Sequence, residues 1–298
     1  MTKITKSSIL LSFLGLWLTS FLKNETQLIV GFFLILSFGI AHGANDLLLI
    51  KKIYKEQSKS YWKSLLNYLI IIFIAILLFS FIPWLAMLLF IIVSSYHFGE
   101  QHWENKNIYE NKIANTLFHI IYGSFILLLL FHFHDKEVIN IMLGITGIDF
   151  TFISISSLLI CNGFLLIAIF SYNYFTNKLF QKIVAIELLY LLVFAIIFKV
   201  GSLIWAFAIY FIFWHSIPSL LDQIKFLFGE VSILSLKSYC KSAFIYWLIS
   251  IVGILVLYFL LKDYKIFDSI FFSFLAAITF PHVIVIERMF NTKLKKTG

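Results

Sequence analysis

The apolar residues of this chain neither alternate nor keep to one helical stripe; they run in long blocks separated by short polar gaps. Blocks of about 18 or more residues recur from end to end, each long enough to cross a hydrocarbon core of roughly 30 Å. The pattern predicts spans at about 8–22, 27–50, 64–82, 84–103, 115–134, 151–172, 181–199, 201–221, 240–262 and 267–289. The expected fold is an all-α, polytopic membrane helix bundle of about ten transmembrane helices. The range of about 8–10 reflects tight pairs of blocks around Pro83 and Gly201. No repeat or Pro-rich linker interrupts the sequence, so 1–298 reads as a single integral membrane domain. The sizeable connections are expected near 51–63, 135–150 and 222–239.

Composition strengthens the membrane reading: 61% of residues are hydrophobic, 13% are charged, and the mean hydropathy is +0.97. A soluble domain of this length needs far more polar surface. The net charge of +8 does not indicate nucleic acid, because the cations are nearly all Lys and sit in the gaps between apolar blocks. With the N-terminus inside, 18 cations fall on the cytoplasmic side and 5 on the other, together the 23 of the chain. That asymmetry supports ten spans with both termini cytoplasmic, as for a multi-pass protein of the cell (inner) membrane. Lys3 and Lys6 precede an apolar stretch without an A-x-A-like cleavage site, which reads as the first transmembrane helix. Cys161 and Cys240 form neither a ligand pair nor a disulfide framework.

Histidine carries the candidate chemistry. Ionisable residues inside spans are costly and face the bundle interior, so each is a functional candidate. His42, His97, His215 and His282 fall in the second, fourth, eighth and tenth spans, all running in the same direction. Each lies about 6–13 Å of helix rise from the inner end. A lone intramembrane His is commonly a packing residue, but four at one depth suit a metal site in a bundle core. Neutral imidazoles leave the metal's charge uncompensated, which favours Fe2+ with open positions over a closed zinc site. Asp46 lies four residues after His42, Glu100 three after His97 and Asp222 seven after His215. These spacings make all three candidate second carboxylate supports that fix imidazole tautomers. Glu187 is another buried candidate, and His119 is a reserve ligand. His132 and His134 belong at the outer interface, and His102 points away from the face of His97. The high aromatic content, 19%, is read as ordinary lipid-facing and interfacial side chains.

The segments around the four histidines read Gly39-Ile40-Ala41-His42-Gly43-Ala44-Asn45-Asp46, Tyr96-His97-Phe98-Gly99-Glu100, Trp214-His215-Ser216 and Phe280-Pro281-His282-Val283. In order and spacing they resemble the Brp/Blh family of membrane β-carotene 15,15′-dioxygenases, whose patterns are similar to PHGALD, YHFG, WHS-x-x-H and PH before an apolar run. The resemblance covers residue 39 to about 290. It implies Fe2+-dependent cleavage of the central double bond of β-carotene with O2 into two retinal molecules. It further implies that His42, His97 and His215 are iron ligands, and that a rhodopsin could receive the retinal within the same lipid bilayer. One departure is Ser219, where the family commonly has a second His. A hydroxyl is a poor Fe2+ ligand, so the fourth imidazole must come from His282 or His119, and His282 is preferred for its depth.

A transporter or channel using buried His, Asp and Glu for protons or ions is the competing class. It predicts inverted repeats with broken spans, and no such repeat is apparent. The H-x-x-x-H and H-x-x-H-H clusters that mark membrane di-iron hydroxylases and desaturases do not occur among the eight histidines.

Overall fold

A computed structural model describes residues 3–54, 58–104, 106, 108–261 and 264–297. Lys55 and Lys262, counted above among the cations, lie outside the described residues. Every regular element among the described residues is a helix. In chain order these are α1 (Lys3–Thr19), α2 (Asn24–Ile53), α3 (Ser58–Phe81), α4 (Pro83–Trp103), α5 (Lys112–Phe133) and α6 (Asp135–Thr146). They continue with α7 (Ile155–Thr176), α8 (Lys178–Val200), α9 (Leu203–Phe228), α10 (Ile233–Leu261) and α11 (Tyr264–Thr297).

Among the described residues eight helices are long and apolar enough to cross a membrane. The two expected spans outside that set are instructive. α1 has 17 residues, about 26 Å of rise, short of a full crossing. α4 has 21 residues, but its last turns carry Ser94, Ser95, His97, Glu100, Gln101 and His102. Those polar side chains lower its apolarity because the site described below is built on it.

Two of the expected connections are also helical. Residues 135–146 form α6, ended by Gly147 at φ 68°, a left-handed conformation that suits glycine. α9 continues to Phe228 and is closed by Gly229 at φ 89°, so the third connection shrinks to residues 229–232. The first, near 51–63, is helical at both ends, where α2 reaches Ile53 and α3 begins at Ser58; residues 55–57 lie outside the described residues. Helix starts follow capping chemistry. The Asn111 side chain accepts from the Ile113 and Ala114 amides at α5, and Asn177 accepts from Leu179 and Phe180 at α8.

The chain forms two compact units. Unit 1 contains residues 1–35, 94–139 and 150–218. Its interior is aromatic: Trp103 packs edge-on against Phe118 and Tyr122 at 4.9 and 5.3 Å, and Phe194 meets Trp214 at 4.8 Å. Glycine lets two of its helices touch. A Cβ on Gly99 of α4 would run into the His119 carbonyl of α5, and one on Gly123 of α5 into the Ser95 carbonyl of α4. This reciprocal small-residue crossing is the membrane solution to close helix packing.

Unit 2 contains residues 36–93, 140–149 and 219–298. Its core gathers Leu49, Ile50, Ile224, Leu227, Tyr239, Ile286, Met289 and Phe290. Trp247 Nε1 donates to the carbonyls of Leu36 and Ser37, satisfying oxygens where α2 departs from regular α-helical bonding.

Candidate metal centre

In unit 2, His42 and His282 meet edge-on with ring centroids 4.8 Å apart, and their ring nitrogens lie within 4.8 Å of each other. Both rings are buried. Local backbone features position them. A π-helical turn at Ile35–Gly39 precedes His42, and a turn at residues 44–45 follows it. Such turns break the regular spacing of a helix and often occur at functional sites. On α11, Pro281 cannot donate to the carbonyl one turn back and loosens the helix beside His282.

The support of this pair is polar. Asp46 Oδ1 lies 2.8 Å from His282 Nδ1, and Tyr68 donates to Asp46 Oδ2 at 3.2 Å. A buried carboxylate there fixes the proton on Nδ1 and turns Nε2 into the donor atom for a metal. Asp46 therefore serves His282, 236 residues away, whereas the spacing in the sequence pairs it with His42. The His42 carbonyl accepts from Gln223 Nε2 at 2.8 Å and from Tyr239 Oη at 3.2 Å. Tyr239 also donates to Gln223 Oε1 at 2.8 Å. Gln223 and Tyr239 are buried supports that sequence reasoning missed; their only signal is a polar residue inside an apolar helical face.

In unit 1, His97 and His215 meet at 4.6 Å, again edge-on and buried. His215 lies inside a second π-helical turn, Phe211–Ser216. Aromatic rings hold it: Phe211 stacks on it at 5.4 Å and Phe98 approaches edge-on at 4.8 Å. Glu100 Oε2 lies 3.8 Å from His97 Nδ1, too far for a hydrogen bond, and its other oxygen accepts from Tyr96 at 2.7 Å. The backbone bearing His215 is tied to α1, where Ser8 donates to the Phe213 carbonyl at 2.6 Å and Ser12 accepts from Trp214 at 2.8 Å.

His119 is buried, and its carbonyl forms part of the glycine crossing. His132 bonds Ser156 at 3.0 Å and His134 bonds the Phe198 carbonyl at 2.8 Å. Asp222 is half-buried on α9, and the buried polar residue beside it is Gln223. Ser219 is fully buried, with its hydroxyl 3.3 Å from Gln223 Nε2. Glu187 belongs to a different cluster in unit 1. Its oxygens lie 2.7 Å from His102 Nε2 and 2.7 Å from Lys106 Nζ, and Tyr122 reaches His102 at 3.1 Å. His102 therefore belongs to this ion group with Glu187 and Lys106.

The donor set fits a metal. Four buried imidazoles in two edge-on pairs are a costly arrangement inside apolar helices, and two imidazoles from either unit could serve as ligands. Helices of this length and a histidine-rich interior define a multi-pass membrane protein with metal-binding potential. The chain belongs to the β-carotene 15,15′-dioxygenase family, whose sequence profile matches residues 33–290, and it is a carotenoid-cleaving enzyme. All four histidines lie within the matched segment. No curated protein and no solved structure gives a significant match.

Proposed function

We propose that the protein holds one Fe2+ through His42, His97, His215 and His282 and cleaves the central 15,15′ double bond of β-carotene with O2 to give two molecules of retinal. The observation that carries this reading is the pairing of four buried imidazoles on segments that match the dioxygenase family. The reading takes 1–298 as a single integral membrane domain. When bound, the ferrous ion supplies activation of O2 at positions that the imidazoles leave open. The two oxygen atoms of O2 become the two aldehyde oxygens, so the overall reaction needs no added reductant and no net proton transfer.

The chain's own residues bind, orient and exclude water. Asp46 holds the tautomer of His282; Glu100 is the corresponding candidate for His97, and Asp222 for His215. The rings of Phe98, Phe211 and Tyr210 around His97 and His215 keep that side of the site apolar, which suits both a polyene and O2. Substrate and product dissolve in the bilayer. The protein would therefore work in the cell membrane with cytoplasmic termini, and a retinal-binding rhodopsin could take up the product.

The test is expression in bacterial cells engineered to accumulate β-carotene, with wild type beside His215→Ala. Loss of orange colour with retinal detected by chromatography, abolished in the variant, is the expected result. Unchanged carotenoid with a folded, iron-supplied wild type would sink the reading.

A further inference from the structure

Unit 2 contains a cavity of about 160 Å3 walled in part by Ile50, Tyr54, Ser64, Tyr68, Ile284 and Arg288. Arg288 is the only arginine in the chain. Its Nη1 donates to Tyr54 Oη at 2.9 Å and to Ser64 Oγ at 3.4 Å. Both partners are neutral hydroxyls, and among the described residues no carboxylate lies within ion-pair distance of the guanidinium. A guanidinium has five donors and stays charged, so among the described residues this half-buried group has no carboxylate to balance it. The rest of the wall is mainly aliphatic, and two wall residues, Ile70 and Ile284, are 43% and 36% exposed.

The surroundings specify the ligand further. Lys51 and Lys52 lie in the last turn of α2 beside the lining residues Ile50 and Ile53, and Lys63 precedes Ser64. Cations clustered at helix ends around a pocket between helices attract anionic lipid head groups. The volume matches a small group and not a C40 polyene: a cavity of roughly 150 Å3 holds a molecule the size of benzene. We propose that this cavity binds an anionic lipid, its phosphate or carboxylate on Arg288 and its first methylenes against Ile70, Ile71 and Ile284. The proposal does not rest on the iron reading, although Tyr68 in this wall also bonds Asp46.

The full-length protein, purified in detergent containing equal amounts of dioleoyl phosphatidylglycerol and dioleoyl phosphatidylcholine, tests it by native mass spectrometry. Wild type is expected to retain one phosphatidylglycerol in preference to phosphatidylcholine. Arg288→Gln should lower that retention at least about tenfold, as loss of a charge-assisted contact does. Ile70→Trp should lower it as well, because it narrows the apolar wall and leaves Arg288 in place. Its exposed position keeps the test valid if Arg288→Gln fails to fold. Displacement by oleate would identify a carboxylate amphiphile as a second source of the same chemistry. Displacement by inorganic phosphate alone would reduce the site to an anion site and overturn the lipid assignment. Equal retention by wild type and both variants would overturn the proposal entirely.

Discussion

The two histidine pairs share nearly the same ring geometry, 4.8 Å for His42–His282 and 4.6 Å for His97–His215, but they are held by opposite means. The first has a carboxylate on one ring and hydrogen bonds on the backbone of the other. The second is clasped by phenylalanines, and the Glu100 carboxylate stands 3.8 Å from His97 while bonded to a tyrosine. A carboxylate-backed imidazole has a fixed tautomer and greater basicity. A ring held by stacking has a fixed plane. On the proposed iron reading, this difference would put metal affinity mainly on the polar pair and apolar shielding mainly on the aromatic pair.

The largest effect expected is loss of one ring from each pair. His42→Ala and His97→Ala should each reduce retinal formation to the level of cells lacking the gene, and bound iron per purified protein should fall close to zero. Full iron occupancy in His97→Ala would show that the polar pair holds the metal without the aromatic one. Next comes the deepest carboxylate of unit 1, which serves His102 and Lys106 and not His97. Glu187→Leu leaves His102 and the quarter-exposed Lys106 ammonium without their carboxylate, at a cost of about 1–3 kcal/mol. A large fall in thermal midpoint is therefore expected, and an unchanged midpoint would show that the ion group contributes nothing to folding. Asp46→Asn should lower metal affinity about 10–100-fold with the protein still folded. Equilibrium titration in detergent measures this, and Glu100→Gln should move the same constant less, given its 3.8 Å separation. Equal effects would erase the contrast between the pairs.

The sequence made the helices and the four histidines legible for separable reasons. Long apolar blocks report spans directly, because the bilayer imposes their length, and buried histidines are conspicuous where ionisable residues are costly. The supports were less legible, since they depend on which helices meet. Asp46 shares a helical face with His42 by spacing, yet the turn at residues 44–45 lets it reach His282. Spacing rules assume a continuous helix and fail at such a turn. The π-helical turns before His42 and around His215 have no residue signature of their own. Gly99 appears in the sequence only as part of a motif. Its physical reason, the His119 carbonyl pressed against its Cα, exists only in the folded crossing of α4 and α5.

The smallest expected effect probes the aromatic pair itself. Phe211 stacks on His215 with an interplanar angle of 15°, while Phe98 meets it at 70°. Phe211→Leu keeps an apolar group of similar bulk but removes the stacked face, a loss of about 0.5–1.5 kcal/mol beyond the change in buried area. If stacking sets only the plane of His215, iron content should stay near that of wild type while turnover of β-carotene falls modestly. Rescue by Phe211→Tyr, which restores the ring, would separate this from a packing defect. Loss of iron from Phe211→Leu with unchanged thermal stability would show that His215 depends on its ring neighbour as much as His282 depends on Asp46, and the two pairs would then differ in chemistry but not in consequence.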